Sequence, residues 1–272
     1  MVSQTWNHNK EASLIILPLL RMYRIDIISA IFLGSRPRFE LELDNPAADP
    51  NLKGLERCDP ICTRYQTKLS NLTGLQDLSH ETIKVYRILR HLIMEKERVA
   101  GLQNTRTTYT ASEWLQLHLY SFQVMHRLTA IIRYKIPDSP NQNALIYALF
   151  GLAGVAHILM FTCNAHLRLG DPISLSTRIR TGLEKINTQA FQIAYPEMTL
   201  WIVMIGGMAS LGTEHIKWFI ELLVELCRAA GIATTAELAL ALNEFLWSDF
   251  YLTCPLFYGF WDDLRKGISE CV

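Results

Sequence analysis

Pro196-Glu197-Met198-Thr199-Leu200-Trp201-Ile202-Val203-Met204-Ile205-Gly206-Gly207-Met208-Ala209-Ser210 opens the stretch from Tyr195 to Trp261 whose reading decides the fold. Proline suits the first turn of a helix, where its missing amide costs little. The run that follows is apolar on nearly every side, which predicts a helix to about Leu211 that is buried all round. Gly206 and Gly207 are unfavourable inside it by ~1 kcal/mol each against alanine, so a neighbouring helix is expected to approach closely there. Gly212-Thr213 separates it from a helix over 214–230, where Trp218, Phe219, Leu222, Leu223 and Leu226 line one side and Gly231 closes the end. Thr234-Thr235-Ala236-Glu237 fits a capping box opening a helix through Leu238, Leu242, Phe245 and Leu246. Pro255 begins a last segment with Phe257, Phe260 and Trp261.

Four of the six tryptophans fall in this stretch. Trp201, Met204, Trp218, Phe219, Phe245, Trp247 and Trp261 are read as core first, and second as the lining of a pocket for an apolar small molecule, since such pockets are mostly aromatic and aliphatic.

Upstream, an amphipathic helix is expected over 174–194, with Arg178, Arg180, Glu184 and Lys185 beside Ile179, Leu183, Ile186 and Phe191. Gly170-Asp171-Pro172 reads as a break after an apolar helix over 141–169. Its segment 144–163 has no formal charge and is long enough to cross a membrane, but Gly151, Ala153, Gly154 and Ala156 suit close helix contact, so a buried core helix is the preferred reading. Pro137 and Pro140 end the helix before it, which starts at the capping box Thr110-Ala111-Ser112-Glu113 and carries Trp114, Leu117, Phe122, Met125 and Leu128. Another helix is expected from the cap Ser79 to about Ala100, striped by Ile83, Tyr86, Leu89 or Arg90, and Ile93 and closed by Gly101, with helix also over 64–78. Residues 40–60 hold Asp44-Asn45-Pro46, Asp49-Pro50 and Asp59-Pro60 and read as a loop. An apolar run over 14–33 with Pro18 in it reads as helix ending at Gly34, and residues 1–10 are expected to be disordered. No alternating strand pattern competes. The expectation is one all-α domain spanning 1–272, an irregular bundle of about nine helices.

Half the residues are hydrophobic, so a large core is within reach. The 26 basic and 26 acidic residues balance, which argues against a domain that grips phosphate backbones by itself. The six cysteines lack paired spacing and no signal-peptide pattern opens the chain, so free thiols in a reducing compartment are expected. Cys58 and Cys62 form the one close pair, and no further Cys or His nearby completes a zinc site. His118 and His126 lie eight apart, whereas zinc-binding helices space them by four; half-buried histidines are the better reading. Gly207-Met208-Ala209-Ser210-Leu211-Gly212 lacks the nucleophile-elbow pattern, and Gly34-Ser35-Arg36-Pro37 lacks the lysine of a phosphate loop. Arg36 and Arg38 read as a surface turn pairing the acidic loop after them, with an anion or partner contact as the alternative. No enzyme, cofactor or metal is expected.

Two segments carry a family resemblance. Arg24-Ile25-Asp26-Ile27-Ile28-Ser29-Ala30 followed by Gly34-Ser35-Arg36-Pro37-Arg38-Phe39 is one; Leu200-Trp201, Gly206-Gly207-Met208-Ala209, Trp218-Phe219 and Phe245-Leu246-Trp247 in succession form the other. Together they resemble the C-terminal regulatory region of fungal zinc-cluster transcription factors, over about residues 14–261. The resemblance implies a non-catalytic, all-helical, nuclear module that responds to other transcription-regulatory proteins, to a second copy of itself, or to an apolar small-molecule ligand. The six-cysteine basic zinc cluster of that family is missing, as is a nuclear import signal, so contact with DNA is expected to be indirect. The chain then reads as a piece of a longer factor or as a stand-alone relative, cytoplasmic if the resemblance fails. The alternatives are a stand-alone small-molecule binder and, less favoured, a protein anchored in a membrane through 144–163.

Overall fold

The computed structural model describes residues 21–39, 64–65, 67–68, 76–104, 111–132, 142–161 and 170–269. It is all-α, with no strand among the described residues. The α-helices are α1 (21–33), α2 (Gln76–Asn104), α3 (Ala111–Ile132), α4 (Gln142–Phe161), α5 (Gly170–Leu183), α6 (Thr188–Ala194), α7 (Pro196–Ala209), α8 (His215–Ala229), α9 (Thr235–Asn243), α10 (Phe250–Thr253) and α11 (Tyr258–Ser269), with a 3₁₀ turn at Pro255–Phe257 before α11; residues 64–65 and 67–68 are helical as well.

Two helices organise the rest. In α4 every residue from Ala144 to Phe161 is buried except Ala148, and in α7 every residue from Met198 to Ala209 is buried. They pack on each other; α2, α3 and α5 also cover α4, while α5, α6, α8 and α9 cover α7. A helix apolar all round needs such an all-round wall of neighbours. Although α4 is long and apolar enough to cross a membrane, it is 94% buried inside the protein, which favours the core reading of 144–163.

The glycines sit at the close contacts. A Cβ on Gly206 would lie 2.5 Å from the Phe219 ring and 3.1 Å from Ile179, and one on Gly207 would lie 2.7 Å from the Phe260 ring. The neighbouring elements approach as expected, but through side chains, chiefly aromatic rings, rather than backbone. In α4, a Cβ on Gly154 would meet Leu128 at 3.1 Å, and one on Gly151 would meet Ile132 at 2.7 Å.

Local signals mark most ends. Thr234 and Glu237 form the reciprocal capping box, with Glu237 N–H on Thr234 Oγ1 at 3.1 Å and Thr234 N–H on Glu237 Oε2 at 3.2 Å. Pro196 occupies the first turn of α7. Gly34 (φ 61°) and Gly231 (φ 70°) each end a helix in the left-handed region, and the flanking amides close it by bonds from Ser35 to Ala30 and from Ile232 to Cys227.

Four expected boundaries are corrected, the first at α9, which ends at Asn243, short of the Phe245 and Leu246 expected within it. The helix expected over 174–194 is two: α5 ends at Leu183, and Asn187 caps α6 by accepting from Ala190 N–H at 3.0 Å. Helix α2 runs straight through Ser79 and Gly101, since an amphipathic stripe packed on α3 outweighs a single cap residue or glycine. Gly170-Asp171-Pro172 starts α5 instead of standing as a bare break, with Asp171 and Pro172 in the first turn. The loop 40–60, the N-terminal residues 1–10, the Thr110 cap, and Cys58, Cys62, Cys163 and Cys271 lie outside the described residues.

Helix ends inside the assembly are satisfied from far along the chain. Arg90 donates to the carbonyl of Phe245 at 2.7 Å just beyond α9, and Gln192 donates to Leu226 in the last turn of α8 at 2.7 Å. Arg178 of α5 donates to the Ile31 carbonyl at 2.8 Å, and Arg24 pairs with Asp171 at 2.9 Å, so two polar links hold α1 to α5 while α1 buries Ile27, Ile28 and Ile31.

Candidate functional site: a buried polar-aromatic seam

Where α4 and α7 cross, Phe150, Trp201 and Phe245 meet with ring centroids 5.4–6.2 Å apart. Tyr65 and Tyr86 extend this cluster from the other side of Phe245, at 4.8 and 5.1 Å. Two turns further along the same face of α4 stands His157, fully buried, stacked on Phe161 at 5.1 Å and 5.9 Å from the Trp201 ring. Its Nδ1 lies 2.8 Å from the hydroxyl of Tyr251, the one fully buried residue of α10. Trp247 packs on Tyr251 at 5.1 Å and on Trp261 at 5.9 Å, and Trp261 donates its indole N–H to the Tyr251 carbonyl at 2.8 Å. The Lys96 ammonium of α2 sits 4.1 Å from the Phe161 ring centre and 4.6 Å from that of Phe250.

Burial lowers the His157 pKa to about 3, with the Lys96 charge as a second cause, so the imidazole is neutral. Burial also raises the Tyr251 phenol well above its ordinary value, so it keeps its proton. One of the two partners must donate. If Nδ1 carried the hydrogen, both the phenol O–H and the Nε2 lone pair would lack partners. With the phenol donating to Nδ1, only Nε2–H is left over, and that tautomer is assigned on this count. Nε2 of His157 has no partner, and neither do the indole nitrogens of Trp201 and Trp247, although all three atoms are buried. Each such orphan costs about 1–3 kcal/mol relative to a satisfied donor. Native interiors rarely tolerate this without a reason.

The structure places the expected residues unevenly. Trp201, Met204, Phe219, Phe245, Trp247 and Trp261 are all buried. Trp201, Phe245, Trp247 and Trp261 belong to one connected ring cluster that includes His157 and Tyr251. Phe219 lies against the Gly206-Gly207 pair, and Trp218 is half-buried beneath the Arg180 guanidinium at 5.1 Å. Arg36 and Arg38 are exposed on the turn after α1 and take no part in the seam. Compared with protein-family models, curated protein sequences and solved structures, the chain matches none. The seam is therefore read from its own geometry.

His157, Tyr251 and Lys96 escaped the sequence reading as site residues. A histidine inside a charge-free apolar run was the available signal, because a buried polar ring requires partners. Those partners stand 94 residues away at Tyr251 and on another helix at Lys96, where no local pattern points to them. The other residues weighed for chemistry are otherwise engaged or peripheral. Ser210 is buried and donates to the Gly207 carbonyl at 2.7 Å, closing α7. His118 and His126 are half-buried on α3, and no cluster of three metal-ligating side chains occurs among the described residues.

Proposed function

We propose that this chain is a non-catalytic regulatory module of the transcription apparatus, acting through protein partners, with its output set by how its helices pack. Its resemblance to the regulatory region of fungal zinc-cluster factors supports this reading. The observation that carries it is the α4–α7 crossing. A packed core changes between discrete arrangements instead of deforming continuously, and here one seam joins both central helices to α2 and α10. A partner or ligand with different affinity for two packings would shift the population between them. Other transcription-regulatory proteins or a second copy of the chain are the proposed partners, in the nucleus, with DNA reached only through them.

The test is tethering. Fused to a heterologous DNA-binding domain in a yeast reporter strain, the full chain is expected to raise or lower reporter output severalfold, and unchanged output overturns the regulatory reading. The purified chain is expected to show no tight, steeply salt-dependent binding to a duplex pool; finding such binding would show that it grips DNA itself.

A further inference from the structure

We propose that the seam between α4, α7 and α10 is a binding site for a small apolar molecule bearing a hydrogen-bond acceptor, a carbonyl or carboxylate oxygen, received by donors drawn from His157, Trp201 and Trp247. The inference deepens the ligand-shifted half of the functional reading and rests on it for its biological meaning alone.

The chemistry of the three groups is the first argument. Neutral Nε2–H of His157 and the two indole N–H groups are all donors, all buried, and all without an acceptor. Their rings belong to one cluster: His157 contacts both Trp201 and Tyr251, and Trp247 contacts Tyr251. A surplus of donors of one kind is complementary to an acceptor and to nothing that donates. The aromatic walls require the remainder of the molecule to be apolar. Lys96, close enough to perturb His157, adds a positive field that favours a carboxylate over a neutral carbonyl.

The second argument is access. Helix α10 has only four residues, too few to hold together without tertiary contacts. It turns Tyr251 inward, and Phe257 follows it into the core, whereas Leu252, Leu256 and Tyr258 of the same segment are exposed. Swinging this segment outward would break the Tyr251–His157 and Trp261–Tyr251 hydrogen bonds and vacate the ring position that Tyr251 fills against both His157 and Trp247. Such an opening is a minor state that an acceptor-bearing ligand would stabilise.

The experiment uses the full chain labelled with ¹⁵N at its tryptophans, each indole resonance being assigned by a single Trp→Phe variant. The probes are benzoate, acetophenone and ethylbenzene, which share a ring and differ in the acceptor. Benzoate and acetophenone are expected to move the Trp201 and Trp247 indole N–H resonances downfield and to raise Tm, and ethylbenzene is expected to do neither. Trp247→Phe is expected to weaken acetophenone binding about tenfold while the melt remains cooperative. The proposal is overturned if no probe moves either resonance, or if ethylbenzene binds as well as acetophenone, which would reveal a plain apolar void. Should Trp247→Phe fail to fold, the wild-type indole shifts decide the question alone. A silent reporter with intact probe binding removes the regulatory reading and leaves the site; an active reporter with no probe binding removes the site alone.

Discussion

Helices α4 and α7 solve the same problem with different materials. Each is apolar all round and each uses glycine to admit a neighbour, but the neighbours differ. Gly151 and Gly154 face the branched aliphatic side chains Ile132 and Leu128, whereas Gly206 and Gly207 face the rings of Phe219 and Phe260, with Ile179 a more distant neighbour of Gly206. An aliphatic side chain can change rotamer to accommodate a methyl group; a ring clamped between helices moves only as a plate. The aliphatic side of the core should therefore tolerate change in volume better than the aromatic side.

The most severe test of this contrast is removal of the one side chain that both α7 glycines meet. Phe219→Ala is expected to cost about 3–5 kcal/mol in urea denaturation, the range for deleting a buried aromatic side chain. A loss below ~1 kcal/mol would mean that the aromatic wall collapses as readily as an aliphatic one, and the contrast would disappear.

Acid probes the place where the two sides meet. His157 has a folded pKa of about 3 against an ordinary value of 6.5, so between these values the unfolded chain binds the extra proton. Its contribution is complete above about pH 6.5 and is lost as pH falls, at about 1.4 kcal/mol per unit through that window. Stability measured from pH 7 to 4 should fall with a component that disappears in the double variant His157→Phe, Tyr251→Phe, which removes both hydrogen-bonding partners together. An unchanged slope in the double variant would place the acid sensitivity elsewhere.

Single methyl groups compare the two glycine sites directly. Gly207→Ala is expected to destabilise by about 1–3 kcal/mol because the added carbon overlaps the Phe260 ring. Gly154→Ala meets two Leu128 methyls at 3.1 Å and regains ~1 kcal/mol of helix propensity, so it should be neutral or slightly stabilising. Equal effects from the two in thermal melts would contradict the plate-versus-branch distinction. The smallest effect concerns the frame that presents Phe245 to this core: Thr234→Ala should cost about 1 kcal/mol through loss of the α9 cap, without changing the response to either glycine variant.

What the sequence disclosed divides by distance along the chain. Pro196, Gly34, Gly231 and the Thr234 box act within a few residues, so each is legible in the sequence alone. Ser79 and Gly101 carried equally local signals and were overruled, because α2 gains more from continuous packing on α3 than a cap or a stop would contribute. The break between α5 and α6 holds neither glycine nor proline, and Asn187 alone marked it. At the seam, the tryptophans were visible from their number and order, but the partnership of His157 with Tyr251 exists only after the chain folds back.

The two links that join α1 to α5 also have a consequence in time. Arg24 and Asp171 stand 147 residues apart, as do Ile31 and Arg178. At synthesis rates of about 5–20 residues per second, neither link can form until roughly seven to thirty seconds after α1 has been made. During that interval α1 carries the apolar Ile27, Ile28 and Ile31 without the polar links that later tie it to α5, so a newborn chain holds this helix in an incompletely fastened state.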